Sequence, residues 1–192
     1  MRKSAKRVML QVRCSARTGA SEPIAFGMIP SERRSTRIDT GIVDVVVMTP
    51  APRGRRDRWR ILTLRRAVGT RCTGAWEIVH GRIEGVETPA QAAVREVFEE
   101  TGLVVERLYS IAVNPFYLHK IDTVQLALVF AAIVAPAAAT LGPEHDRSVW
   151  RTPTTARTHL AWPREKDAVS YAVQLLANGD AGAVEDVLRV QL

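Results

Sequence analysis

The sequence predicts an α/β fold in which a mixed β-sheet lies between helices, and three observations carry that reading. Apolar runs of strand length recur at 41–49 and 123–134, the second ending just before Pro136. Between them, residues 88–102 carry the start and stop signals of an amphipathic helix. A second amphipathic stretch follows Pro163 near the end of the chain.

Taken in order, Gly41 to Thr49 (GIVDVVVMT) reads as a buried strand, and Pro50 to Asp57 as a basic turn bearing Pro and Gly. Trp59 to Leu64 is a second strand, so the pair forms a hairpin with an Arg-rich loop. Ala67 to Ala75 is a loop, and Trp76 to Val79 a short strand feeding Gly81. The helix then opens with Thr88-Pro89-Ala90-Gln91, a capping box with proline at its first position, and Gly102 stands where a left-handed residue ends it. At about 100° per residue, Ala90, Ala93, Val94, Val97 and Phe98 share the core sector, while Glu96, Glu99, Glu100 and Leu103 share another. Val104 to Val113 and Thr123 to Val134 are strands, with Asn114 to His119 interrupting them as a loop, and Trp150-Arg151 continues the sheet. Arg164 to Ala177 is the second helix, packed through Ala168, Tyr171, Ala172, Leu175 and Leu176; Gly179 stops it, and a last short helix falls within 181–192. No internal repeat is present.

A chain of 192 residues is long enough for one domain with a real core. Its net charge of +7 is unevenly spread: residues 1–40 hold nine Lys/Arg against three Asp/Glu, which leaves only about +1 for the remaining 152. Residues 1–40 therefore read as a basic, flexible extension and 41–192 as the folded domain. A nucleic-acid-binding face on that domain is not implied. Val8-Met9-Leu10 is too short an apolar run for a signal peptide or a membrane span. Cys14 and Cys72 lack metal-ligand spacing, so a cytoplasmic protein with free thiols is the expectation.

The informative segment is Gly81 to Leu103, GRIEGVETPAQAAVREVFEETGL. Glu96, Glu99 and Glu100 fall at i, i+3 and i+4 and crowd one face of the helix, where like charges repel. A sequence that keeps them needs compensation, and a hard divalent cation, Mg²⁺ or Mn²⁺, supplies it through carboxylate oxygens. The whole segment resembles the Nudix box, G-x5-E-x7-R-E-U-x-E-E-x-G-U with U a bulky aliphatic. Gly81, Glu87, Arg95, Glu96, Glu99, Glu100 and Gly102 fill its seven fixed positions, and Val97 and Leu103 its aliphatic ones. With fixed residues each at about one in fifteen, a chance match is on the order of 10⁻⁹ per starting position. His80 and Gly85-Val86 depart from the commonest form of the loop without removing a carboxylate.

The resemblance implies an α/β/α sandwich and a Mg²⁺-dependent pyrophosphohydrolase in which water attacks phosphorus. It implies Glu96, Glu99 and Glu100 as metal ligands, with Glu84 as a further salt-bridge or metal partner. Arg95 orients a carboxylate, Glu99 and Glu100 take part in catalysis, and Glu87 supports the loop–helix junction. For the substrate, the candidates are Arg65 and Arg66 toward phosphates, Phe116 and Tyr117 toward a stacked base, and His145. Glu144, downstream of the box, is the candidate general base. The expected partner is a small nucleotide, first a nucleoside or dihydroneopterin triphosphate; membrane and nucleic-acid partners are not expected, and a homodimer is admitted. The alternatives are a dinucleoside polyphosphate hydrolase, an RNA 5′-end pyrophosphohydrolase and a non-catalytic nucleotide sensor.

Overall fold

A computed structural model describes residues 35–192. The basic extension expected over 1–40 lies outside the described residues as far as position 34, and from Arg37 the chain is already the first strand. Strand β1 (Arg37–Pro50) and β6 (Thr123–Val134) run parallel at the centre of an eight-stranded sheet. Around them lie β2 (Trp59–Arg66), β3 (Trp76–Glu77), β4 (Val79–Arg82), β5 (Val105–Leu118), β7 (His145–Arg151) and β8 (Arg189–Val190). The path is β3-β2-β1-β6-β5-β8, with β4 also on β1 and β7 on β2, and every pairing except β1–β6 is antiparallel. The expected mixed sheet is therefore present.

Alternation along β1 divides the core in two. Val43, Val45 and Val47 pack toward helix α1 (Pro89–Thr101) with Ala92, Ala93 and Val97. Val46 and Met48 point the other way, into a cluster with Ala156 of α2 (Pro153–His159) and Ala168, Val169 and Ala172 of α3 (Pro163–Leu175). Helices thus cover both faces of the sheet, as the sandwich requires. Among the described residues no helix is long and apolar enough to cross a membrane.

Helix α1 begins and ends where the sequence indicates. Thr88 Oγ1 accepts from the Gln91 amide, Gln91 Oε1 accepts from the Thr88 amide, and Gly102 (φ 66°) donates to the Phe98 carbonyl. The buried stripe, however, is Ala92, Ala93, Val97 and Thr101, and Phe98 is 59% exposed. The helix sits on the sheet along its 93/97/101 line, which turns Phe98 outward, while Leu103 past the cap is buried.

Other expectations change with tertiary context. Residues 114–118 are not a loop but the end of β5, in register with β6 down to Leu118 opposite Thr123. A 3-10 turn at His119–Ile121 makes the reversal. Pro115 is tolerated there because β8 covers β5 only at Leu108 and Tyr109, leaving its other end a sheet edge. Trp76 to Val79 is not one strand: β3 pairs with β2 and β4 with β1, and Ile78 makes the switch. Tyr171 is exposed rather than packed. Helix α2, capped by Thr152, was not foreseen, and the chain end is a short helix α4 (Glu185–Leu188) followed by β8.

The strand switch at Ile78 rests on an acid. The Ile78 amide donates to Glu165 Oε2 (3.3 Å), and Glu165 is fully buried in α3. Burial, reinforced by the nearby Asp44 and Glu77 charges, pushes its carboxyl well above the usual range despite Arg164 alongside. The folded state keeps this proton at pH values where the unfolded chain, titrating near 4.5, has lost it. Its contribution to stability is therefore present at low pH and falls as pH rises above that value. Glu165→Gln retains an amide acceptor for Ile78 and cannot ionise. Its melting temperature should match wild type near pH 4.5 and exceed it by a few degrees at pH 8. Thermal melts at the two pH values check this; an equal difference at both refutes it.

Candidate active site

The site forms where β4 passes under α1. Val43 pairs with Gly81 across the β1–β4 ladder, so Gly81 faces the α1 side. A Cβ at Gly81 would fall inside the carboxyl group of Glu96. This fixed glycine is thus explained by close approach, the strand backbone being the surface on which the Glu96 side chain lies.

Arg95 organises the carboxylates. Its Nη1 donates to Glu96 Oε1 and Glu99 Oε2 (2.9 Å each). On the other side, Nε and Nη2 clasp Glu87 (3.1 and 2.7 Å), and Nη2 also reaches the Arg82 carbonyl (2.8 Å). Glu87 Oε1 in turn accepts from the Glu84 amide (2.7 Å), which fastens the loop before the helix. The hydrogen bond from Arg95, with its charge, holds Glu87 below the usual carboxylate range, and the surrounding acids raise Arg95 in return. Three acid positions of the motif, Glu87, Glu96 and Glu99, and its arginine are thereby one charge-assisted network.

Glu100 stands apart from it. Its Oε2 is buried with no hydrogen-bond partner among the described residues. Burial first, then the charges of Glu96, Glu77 and Glu144, push its carboxyl up to about 9. Behind it lies the His145 ring, with Nδ1 at 3.8 Å from Glu100 Oε2 and Nε2 at 3.0 Å from Glu77 Oε1. Arg66 Nη1 bridges Glu77 (3.3 Å) and Glu144 (2.6 Å). Burial would raise Glu77, but the hydrogen bond with His145 and the Arg66 charge bring it below its ordinary value.

Most of the expected residues converge on one cavity of about 430 Å³, lined by Arg66, Glu84, Glu96, Glu99, Glu100, Glu144 and His145 together with Gly81 and Gly142. Phe116 and Tyr117 line a neighbouring cavity of about 520 Å³, and Arg66, His80 and Arg82 belong to both walls. Two placements correct the expectation. Arg65 lines neither cavity and is instead paired with Asp146 (2.7 Å). The His145 side chain is 1% exposed, so it braces Glu77 and Glu100 from behind rather than offering a face to substrate. Glu77 and His80 were missed; neither belongs to the spacing that singles out the α1 acids, and only pairing across the sheet brings them in.

Among the described residues no three His, Cys, Asp or Glu side chains already converge as a metal-binding group. Glu96 and Glu99 are turned onto Arg95, whereas Glu100 carries the orphaned buried oxygen. A set of carboxylate oxygens around one open cavity, one of them buried without a hydrogen-bond partner, fits a hard divalent cation.

The Nudix domain family matches residues 42–172. The chain belongs to that family. An octanoyltransferase of Myxococcus xanthus is 35% identical over 141 residues, a match spanning 72% of this chain and 39% of that protein. This chain therefore covers well under half the length of that relative. Among solved structures, a protein described as a Nudix hydrolase from Listeria monocytogenes is similar with a TM-score of 0.61 at 20% identity, over 80% of this chain and 100% of that one. An Ap4A hydrolase of C. elegans, solved as a binary complex, gives 0.59 at 17% identity over 73% and 99%. At such identities the structures establish the Nudix hydrolase fold.

Because a Cβ at position 81 would displace the Glu96 carboxyl, Gly81→Ala should break the Arg95–Glu96 contact while leaving the apolar core intact. The expected outcome is a folded protein, by far-UV circular dichroism, whose affinity for Mn²⁺ falls at least about tenfold, in the range seen when a metal ligand's support is lost. Unchanged Mn²⁺ binding by titration calorimetry refutes the close-approach account.

Proposed function

We propose that this chain is a divalent-metal-dependent pyrophosphohydrolase that cleaves a nucleoside triphosphate or a dihydroneopterin-triphosphate-like substrate by attack of water at phosphorus. The observation that carries the proposal is the intact acid set of α1 on one open cavity, held by Arg95 and joined to a second cavity with aromatic walls.

Glu96, Glu99 and Glu100 would hold Mg²⁺, or Mn²⁺, with Glu84 beside them at the cavity rim. When bound, the metal supplies Lewis acidity toward the diphosphate oxygens and lowers the pKa of coordinated water. The chain's own residues supply the remainder. Arg95 holds Glu96 and Glu99 in place against Glu87, so that their repulsion does not splay the helix face. Arg66 neutralises one wall of the cavity and can turn from Glu144 to a phosphate oxygen. Glu144 is the candidate base: its side chain is 59% exposed, follows Gly142-Pro143, and lines the same cavity as the α1 acids. It would take a proton from the attacking water on its carboxylate. Phe116 and Tyr117 give the organic end of the substrate an apolar seat.

Turnover of a nucleotide panel with Mg²⁺ in ¹⁸O-water, with products identified by mass, tests the reaction and shows which phosphorus is attacked. Glu99→Gln and Glu100→Gln should each lose most activity in a folded protein; full activity in both at low Mg²⁺ overturns the metal assignment. Glu144→Gln should lower kcat by roughly 10²–10⁴-fold with little change in KM. A drop of about tenfold or less would return the base role to Glu99 or Glu100.

A further inference from the structure

Arg164 lines the larger cavity, is not used by the diphosphate chemistry, and is anchored on a buried acid behind the wall. Asp44 lies mid-strand in β1 with 0% exposure, on the face opposite Val43 and Val45. Its carboxylate is paired with His80 across the β1–β4 ladder (Oδ1 to Nδ1, 2.6 Å) and with Arg164 at the start of α3 (Oδ2 to Nε, 2.9 Å). At 2.6 Å from a carboxylate the His80 Nδ1 must carry its hydrogen, so the 3.4 Å approach of Arg164 Nη2 to that nitrogen is a contact and not a bond. Nη2 instead faces Asp44 Oδ1 (3.4 Å) and Glu165 Oε1 (3.5 Å).

The seat of this guanidinium is fixed on every other side. Its carbon lies 4.5 Å from the Phe116 ring centroid and 5.7 Å from that of Trp162. The main-chain carbonyl of Arg164 accepts from Asn114 Nδ2 (2.9 Å). The side chain is only 14% exposed. Yet Nη1 makes no hydrogen bond with any described residue, although the residue lines the cavity. A rigid, largely buried cationic donor with a free N–H pair, beside apolar walls and next to a diphosphate site, is built to meet an acceptor on a ligand.

We propose that Arg164 selects the ring of the substrate by donating from Nη1 to a ring carbonyl, so that the cavity takes an oxo-bearing bicycle, a 6-oxopurine or a 4-oxopteridine. This rests on the pyrophosphohydrolase reading for why a nucleotide enters at all. Arginine has donors only, so the exocyclic amine that adenine presents at the same position leaves Nη1 unpaired and opposes donor to donor. The apolar surfaces of Ile42, Phe116 and Trp162 line the space for the ring.

The test measures binding to the full chain without metal, by titration calorimetry, using GMP, IMP, AMP and neopterin as separate probes. GMP and IMP, which share the 6-oxo group and differ in the 2-amino group, should bind alike. Both should exceed AMP by about tenfold or more, the discrimination of one charged hydrogen bond. Neopterin tighter than GMP would identify the pteridine as the source of the carbonyl, and weaker the purine. Arg164→Lys, which keeps the charge and loses the fork, should bring GMP and AMP within about threefold of each other. IMP grouping with AMP, AMP binding as well as GMP and neopterin, or an Arg164→Lys protein that keeps the preference would each overturn the proposal. The IMP comparison decides even if the variant fails to fold. A protein that shows the preference but hydrolyses no nucleotide would refute the proposed activity and leave this inference standing. Hydrolysis of GTP and ATP with equal KM would do the reverse.

Discussion

The site depends on one guanidinium. Three glutamates on adjacent turns of a single helix repel one another, and a fourth lies in the loop that feeds it. Arg95 turns that liability into order, with one edge of its planar fork on Glu87 and the other on Glu96 and Glu99. Lysine could match the charge but not the two-sided geometry. Since Nη2 also bonds the Arg82 carbonyl, the network ties the helix to the end of β4 and fixes the distance between strand and carboxylates. The Gly81 requirement follows from that spacing: with the helix drawn down, Glu96 has nowhere to lie except over bare backbone.

Leaving Glu100 outside this network has a consequence of opposite sign. Glu96 and Glu99 have their cation in Arg95, whereas Glu100 has acidic neighbours, one buried oxygen without a hydrogen-bond partner, and only the His80 backbone and the His145 ring beside it. Burial first, then the charges of its acidic neighbours, raise its carboxyl. The helix thus carries two acids bonded to Arg95, of which Glu96 is still raised by burial, and a third outside that contact.

How much of this the sequence discloses follows from the range of each interaction. The helix, its caps and its acid face are local: Thr88, Pro89 and Gly102 act within a turn of themselves, and spacing reveals the face. The apolar runs of β1 and β6 disclose strands in the same way. Legibility ends where a partner comes from a distant part of the chain. Periodicity puts Phe98 in the core sector, but which line of a helix meets the sheet is decided by Val43, Val45 and Val47. Asn114 to Leu118 carries the residues of a loop, yet a twelve-residue ladder to β6 outweighs that preference, and an uncovered edge forgives Pro115. His145 offers no local sign that it will be enclosed behind Glu77. The one signal left unread was Asp44, a lone charge within GIVDVVVMT. A buried acid inside an apolar strand demands a cation from elsewhere, and that demand alone pointed to a basic partner such as Arg164, 120 residues further along.

Strand β1 then explains why the two cavities adjoin. Its successive side chains point to opposite faces, so Val43 and its partner Gly81 belong to the carboxylate side while Asp44 and its partner His80 belong to the other. One residue of register separates the place where Glu96 rests from the place where Arg164 is anchored. A one-residue slip in the β1–β4 pairing would put His80 beneath Glu96 and leave Asp44 facing Gly81, abolishing both at once. The register is guarded on each side: apolar alternation fixes β1, and the pairing of buried Asp44 with half-buried His80 holds only in this alignment. The proposed chemistry at phosphorus and the proposed recognition of the attached ring would both depend on a single strand pairing, with Arg66, His80 and Arg82 as the shared wall.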